Sequence, residues 1–419
     1  MNEERQRAGA PYPIRPITEA EWPDFVALDH EAFNVADPPE VTAERWKELI
    51  EFERTLCAFD GDVLVGSTAA YSLTMTVPGG PIPVAGITGV AVLPSHRRKG
   101  ILRSLMTRQL ADLHEGGEPV AALYASEAAI YGRFGYGRAA DAMFFRIPRH
   151  GSAFVPHAPA DPKLRLRVAR PADVRGDLEK VFAEVQPTRP GLYARSPGFW
   201  NWVLRDDEQA RGGDGPLRCV LAEDDGGPRG YALFRVKDSW DDYDLPQSEV
   251  RLKELFAVDA AAYATLWRSL LDRDLCVRVY AWNRPVDDPL FHLLAEPRRL
   301  HAGWRDELWV RLVEVGAALG ARRYSAPVDV VLDVRDEVCP WNEGRWRLAA
   351  DGTGATCERT ADPADLELPV HVLGAAFLGG RDLTPYGAAG VVRQVRPGAL
   401  KALSTAMSWE PRPWGGLVF

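Results

Sequence analysis

The segment Val90-Ala-Val-Leu-Pro-Ser-His-Arg-Arg-Lys-Gly-Ile-Leu-Arg103 decides how this 419-residue chain is read. A β-branched run ends at Pro94, a short basic loop follows, and from Gly100 the residues Leu102, Leu105, Met106, Gln109, Leu110 and Leu113 recur near a 3.6-residue period. The segment therefore reads as strand, loop and helix. The first turn of a helix has backbone N–H groups without intrahelical partners, at the positive end of the helix dipole. A diphosphate placed there would meet those donors together with the side chains of Arg98 and Lys99. Glycine at position 100 suits such a site, because a Cβ would obstruct close approach of phosphate to backbone.

Upstream, Thr18 is an N-cap with Glu21 three residues on, opening a helix that carries Trp22, Phe25, Val26, Ala32 and Phe33. A second helix is predicted over Thr42–Phe52. Strands follow at Thr55–Phe59 and Val63–Tyr71 around Asp60-Gly61, then at Leu73–Val77 and Ile82–Ala85 around Pro78-Gly-Gly-Pro81. Downstream, Val168-Ala-Arg-Pro-Ala-Asp-Val-Arg-Gly-Asp-Leu-Glu-Lys-Val-Phe182 repeats the strand, Arg-Pro and helix plan that began at Ile14. A hairpin at Cys219–Leu221 and Tyr231–Val236 and a strand over Val250–Val258 lead into a helix over Ala260–Leu271. The repeat has Val258-Asp-Ala-Ala-Ala-Tyr263 where the first copy has Ser95-His-Arg-Arg-Lys-Gly100, with no glycine and no basic residue. The frame is kept and the anion site is lost. From Trp304 onward the texture becomes that of a third, α+β unit, and the chain ends in the apolar Leu417-Val-Phe419. The expected domains are residues 1–150, 151–305 and 306–419, of mixed α/β and α+β class.

A composition of 46% hydrophobic and 26% charged residues is that of an ordinary globular protein, and no apolar run reaches the roughly 18 residues of a membrane helix. The polar first thirteen residues contain no apolar signal core, so the expected location is the cytoplasm. The formal charge of −9 argues against nucleic acid and toward a cationic partner. Five widely spaced cysteines without a CxxC pair read as free thiols, and no metal is expected.

A second informative segment is Ala125-Ser-Glu-Ala-Ala-Ile-Tyr-Gly-Arg-Phe-Gly-Tyr-Gly137. A phenol of ordinary pKa about 10 stays protonated at neutral pH and can return a proton to a departing thiolate. Tyr131 and Tyr136 both qualify, and spacing alone does not choose between them.

Arg98-Lys99-Gly100-Ile101-Leu102-Arg103 resembles the coenzyme A motif of GNAT acetyltransferases, with Leu102 where many members have Gly or Ala. With the degenerate second copy, the third unit, the 125–137 segment and the aromatic C-terminus, nearly the whole chain resembles the enhanced-intracellular-survival (Eis) acetyltransferases. The resemblance implies two tandem GNAT-like domains, the second without a coenzyme site, followed by a sterol-carrier-like domain. It further implies acetyl-CoA held by Val90, Ala91, Val92, Arg98, Lys99, Gly100, Ile101, Leu102, Arg103, Ser126 and Glu127. Tyr131 would be the general acid and the terminal carboxylate of Phe419 the general base. Primary amines, including aminoglycosides and lysine side chains, would be the substrates and a homohexamer the assembly. Trp22, Phe33 and Trp46 fall where the family sets aromatic and acidic residues around its substrate. Gly89 stands where some members place an aromatic and Val418 where some place an acid, which implies a roomier and less negative pocket.

The carboxylate raises a physical difficulty. An ordinary α-carboxyl titrates at about 3.5, far below an ammonium group, so proton abstraction requires a desolvated base or a relaying water. Two rival activities remain: a long-chain N-acyltransferase of the N-myristoyltransferase type, and a lipid or sterol carrier with a vestigial acyltransferase half.

Overall fold

The computed structural model describes residues 12–419, so most of the polar leader lies outside the described residues. The chain forms two compact units that interleave in sequence. Among the described residues, the first comprises those up to 139, 308–409 and 418–419, and the second residues 140–307 and 410–417.

The first unit is built on a seven-stranded sheet. Its strands are β1 (Ile14–Arg15), β2 (Thr55–Asp60), β3 (Val63–Val77), β4 (Gly80–Val92), β5 (Val120–Tyr124) and β6 (Gly137–Arg138), with the strand Leu308–Leu312 between β5 and β6. The Thr18–Glu21 capping box opens a short 3-10 turn that runs into α1 (Trp22–Phe33). The second helix, α2, spans Pro39–Trp46, earlier than the predicted Thr42–Phe52, because Pro39 and Glu40 supply a good first turn. The four short strands expected over 63–93 are two long ones, joined by a single hairpin turn at 78–79 and paired on both sides of one bulge. After the basic loop comes α3 (Ile101–Glu115), which packs on the sheet where Gly66 leaves room: a Cβ at Gly66 would lie 2.6 Å from Ile101.

A bulge in this sheet creates the opening for a ligand. Ser67 pairs with Ala91 but Ala69 with Thr88, so Gly89 and Val90 together oppose Thr68. Gly89 sits at φ +57°, and the Ser67 hydroxyl donates to its carbonyl at 2.8 Å. β4 and β5 are parallel and pair only at Ala85–Ala121 and Gly86–Ala122, although β4 continues to Val92. Beyond Gly86 the two strands diverge, leaving the β5-facing edge of Val90, Ala91 and Val92 unpaired with β5.

A five-stranded sheet, ordered 355–359, 344–350, 328–335, 366–369 and 393–394, completes the first unit. Its helix Val370–Ala376 is buried along almost its whole length. Two glycines permit a close approach there: a Cβ on Gly374 would lie 2.3 Å from the Val310 carbonyl, and one on Gly137 would lie 1.9 Å from the His371 carbonyl.

The second unit has its own seven-stranded sheet, ordered 303–306, 141–148, 276–285, 248–257, 227–237, 218–224 and 165–169. Strand 141–148, which falls within the expected first domain of residues 1–150, pairs here, while 308–312, from the expected third domain, pairs in the first sheet. The parallel pair 248–257 and 276–285 is joined by helix Ala260–Leu271 and repeats the β4–α3–β5 arrangement. In this copy the Asp259 carboxylate accepts from the backbone N–H groups of Ala261 and Ala262, at 2.9 and 3.0 Å, and also binds Arg229. A carboxylate thus occupies the helix end that an anion would need. All five cysteines are free and buried.

Candidate functional site

The helix α3 begins differently. Gly100 is its N-cap at φ +85°, Arg98 lies at φ +64°, and among the described residues no side chain caps the first turn. A Cβ on Gly100 would meet no protein atom within 4 Å. Glycine is demanded here by the left-handed backbone.

This loop lines a cleft of about 830 Å³ within the first unit. The expected Val90, Ala91, Val92, Arg98, Gly100, Ile101, Leu102, Arg103, Ser126 and Glu127 all line it, whereas Lys99 does not. Leu102 also packs on the apolar core, which explains a bulky side chain at a place where small residues are common. The sequence reading missed Ala32, Ile130, Arg133, Phe134, Glu337 and Val338, and it gave His96 and Arg97 no contact role. Glu337 and Val338 lie about 240 residues beyond the loop, so local periodicity carries no sign of them.

Four arginines, Arg97, Arg98, Arg103 and Arg133, line the cleft, and none forms an ion pair with a carboxylate among the described residues. Elsewhere most arginines are paired, as Arg311 is with Asp336 at 2.7 Å. Unpaired guanidinium groups around an uncapped helix start fit the phosphates of coenzyme A, and the open edge of β4 fits an extended arm with amide groups.

Of the two phenols, Tyr131 lines the cleft and Tyr136 does not. Burial, with a smaller effect from Glu127, pushes the Tyr131 hydroxyl up to about 12. Tyr136 is 1% exposed and packed edge-on against Tyr131, with its hydroxyl unpartnered; burial raises it further still, opposed by Arg311. Both rings follow β5 and both are buried, but only Tyr131 borders the cleft.

The last residue of the chain enters the same sheet. The Phe419 ring stands edge-on to Tyr71 of β3 and Tyr124 of β5, at 5.7 and 5.1 Å, and would lie 3.1 Å from a Cβ on Gly86. It therefore sits where β4 and β5 begin to part. In the second unit, the preceding tail is held by Trp414 Nε1 donating to Asn283 at 3.0 Å and by the Gly415 and Gly416 N–H groups donating to Glu307 at 2.9 and 3.3 Å.

The three expected substrate aromatics separate. Phe33 lines the cleft and is 42% exposed. Trp22 and Trp46, at 3% and 8% exposed, pack on Phe25 in the core, the first stacked and the second edge-on, and offer no open face to a cation. Gly89 does not enlarge the pocket: a Cβ there would lie 2.8 Å from Phe25 and 3.2 Å from Trp46, so these rings already fill the place of a larger side chain. An acid that the sequence reading passed over, Asp29, lies one turn before Phe33 on α1, and burial pushes its carboxyl up to about 6. Burial raises the Tyr71 hydroxyl, which accepts from Trp46 Nε1, and the charge of Asp29 adds a smaller push in the same direction. The spacing Asp29 to Phe33 on one helix face was the available signal.

Comparison with known proteins follows this geometry. Residues 13–139 and 191–312 match models described as "Acetyltransferase (GNAT) domain", and residues 315–416 match "Sterol carrier protein domain". An "Uncharacterized N-acetyltransferase" of Streptomyces avermitilis is 47% identical over 96% of this chain and 98% of its own. The "N-acetyltransferase Eis" of Mycobacterium tuberculosis is 35% identical over 93% of this chain and 95% of its own. The crystal structure of Eis1 from Mycobacterium abscessus superposes with a TM-score of 0.83 at 34% identity, covering 97% of this chain and all of that one. The chain therefore belongs to the Eis family of GNAT N-acetyltransferases.

Proposed function

We propose that the chain moves the acetyl group of acetyl-CoA directly onto a primary amine, of an aminoglycoside or of a lysine side chain, with Tyr131 as general acid and the Phe419 terminal carboxylate as general base. The observation that carries this reading is the placement of Tyr131 in the cleft lined by the unpaired arginines, with Phe419 lodged where β4 and β5 part. Bound acetyl-CoA supplies a thioester carbonyl open to attack by an amine. The chain's residues do the rest. Arg97, Arg98 and Arg103 with the α3 N–H groups hold the diphosphate, and the free edge at Val90–Val92 pairs with the pantetheine amides. The Tyr131 O–H, kept protonated by its raised pKa, donates to the leaving sulfur. The incoming ammonium loses its proton to the terminal carboxylate, directly or through water, in surroundings made apolar by Val418 and the aromatic rings of Tyr71 and Tyr124. Asp29 and Phe33 favour a cationic acceptor by charge and by ring face. The reading includes a homohexamer, which sedimentation velocity would detect.

The test is acetyl-CoA-dependent thiol release over aminoglycosides, polyamines and lysine peptides. Tyr131→Phe is expected to lower kcat by about 10²-fold or more, and a few residues appended after Phe419 to abolish turnover. Full activity in the extended chain would remove the carboxylate from the mechanism. Release from long-chain acyl-CoA but not from acetyl-CoA would favour the long-chain acyltransferase.

A further inference from the structure

Coenzyme A carries two anionic groups, the diphosphate at the ribose 5′ position and a phosphomonoester at the 3′ position. They leave the sugar from different carbons, so each can be met by its own cation. Arg97, Arg98 and Arg103 come from the loop and first turn of α3, whereas Arg133 comes from a different element, the turn Gly132–Phe134 directly after Tyr131. Its Nε donates to the Ile130 carbonyl at 2.9 Å, and its guanidinium carbon lies 5.7 Å from the centroid of the Phe134 ring. These contacts orient the group and use one of its five N–H donors. The remaining donors have no carboxylate partner among the described residues, although Glu127 and Glu337 line the same cleft. A phosphomonoester, close to dianionic at neutral pH, would be repelled by those two carboxylates unless a cation stood between them.

We propose that Arg133 is the receptor for the 3′-phosphate of coenzyme A and gives the chain its preference for coenzyme A over the 3′-dephospho form. The inference rests on the acetyl-CoA reading above. A bidentate guanidinium–phosphate contact in a half-open cleft corresponds to roughly tenfold to a hundredfold in affinity.

The test is isothermal titration calorimetry of the full chain with coenzyme A and with 3′-dephospho-coenzyme A, for the native protein, Arg133→Gln and Arg98→Gln. Arg133 is solvent-exposed, so its replacement leaves the fold intact, which an unchanged melting midpoint checks. The native protein is expected to bind coenzyme A the more tightly by that factor. Arg133→Gln should weaken coenzyme A alone and collapse the gap, while Arg98→Gln should weaken both ligands and preserve it. A gap that persists in Arg133→Gln, a gap that collapses in Arg98→Gln, or no gap in the native protein overturns the proposal. If the native protein binds neither ligand, the coenzyme reading falls first and the subsite with it.

Discussion

At the scale of single residues, the functional cleft depends on a few positions where backbone and side chain leave no alternative. Gly86 is one. A Cβ there would lie 3.1 Å from two carbons of the Phe419 ring and 2.5 Å from Leu73, so Gly86→Ala is expected to displace the terminal residue. Turnover should fall while coenzyme affinity measured by calorimetry stays within about twofold, because the arginine loop is untouched. Tyr136 gives the opposite expectation. Its buried hydroxyl has no partner among the described residues, so Tyr136→Phe removes an unsatisfied group and should leave the melting midpoint unchanged or raise it by the equivalent of about 1 kcal/mol. Turnover should persist, in contrast to Tyr131→Phe. Both phenols were legible in the sequence; that only Tyr131 borders the cleft was not, since it is set by how Arg311, Gly135 and Val370 pack against the turn.

At the scale of elements, two buried carboxylates carry disproportionate weight. Asp336 pairs bidentately with the fully buried Arg311 and accepts from the backbone of Cys339 and from Asn342, fixing the turn whose next two residues line the cleft. Asp336→Ala would leave a buried guanidinium unpaired, at a cost of about 3–5 kcal/mol. A urea titration should show that loss, with weaker coenzyme binding. In the second unit, burial pushes the Glu307 carboxyl from its ordinary 4.5 up to about 7, opposed by the tail N–H groups that it accepts. A raised carboxyl favours the protonated fold, so its stabilisation is complete below pH about 4.5 and is lost as the pH rises toward 7, on the order of 3 kcal/mol in all. Hydrogen exchange of residues 410–417, corrected for intrinsic rates, should show protection declining over that window, and Glu307→Gln should flatten the decline. The strand, loop and helix of the first copy were legible in the sequence because period and punctuation are local. The bulge at Gly89 and the early end of β4–β5 pairing were not, because register depends on the partner strand.

At the scale of the whole molecule, the tail divides between the units: residues 410–417 belong to the second and Val418–Phe419 to the first. Ending the chain at Leu417 keeps Trp414, Gly415 and Gly416 on their partners, so the melting profile should be retained while turnover is lost. Retained turnover would exclude Phe419 from the chemistry. The sequence by itself determined the duplicated frame, the single anion-binding loop, the decay of that loop at Val258–Tyr263 and the family to which these belong, since each is written in contiguous residues. Only the tertiary structure decided that Tyr131 rather than Tyr136 meets the cleft, that Trp22 and Trp46 belong to the core, that Lys99 stands outside the lining, and that Arg133, Glu337 and Val338 belong to it. The reason is physical: exposure and proximity between residues far apart in the chain follow from strand order and packing, which depend on the whole sheet at once.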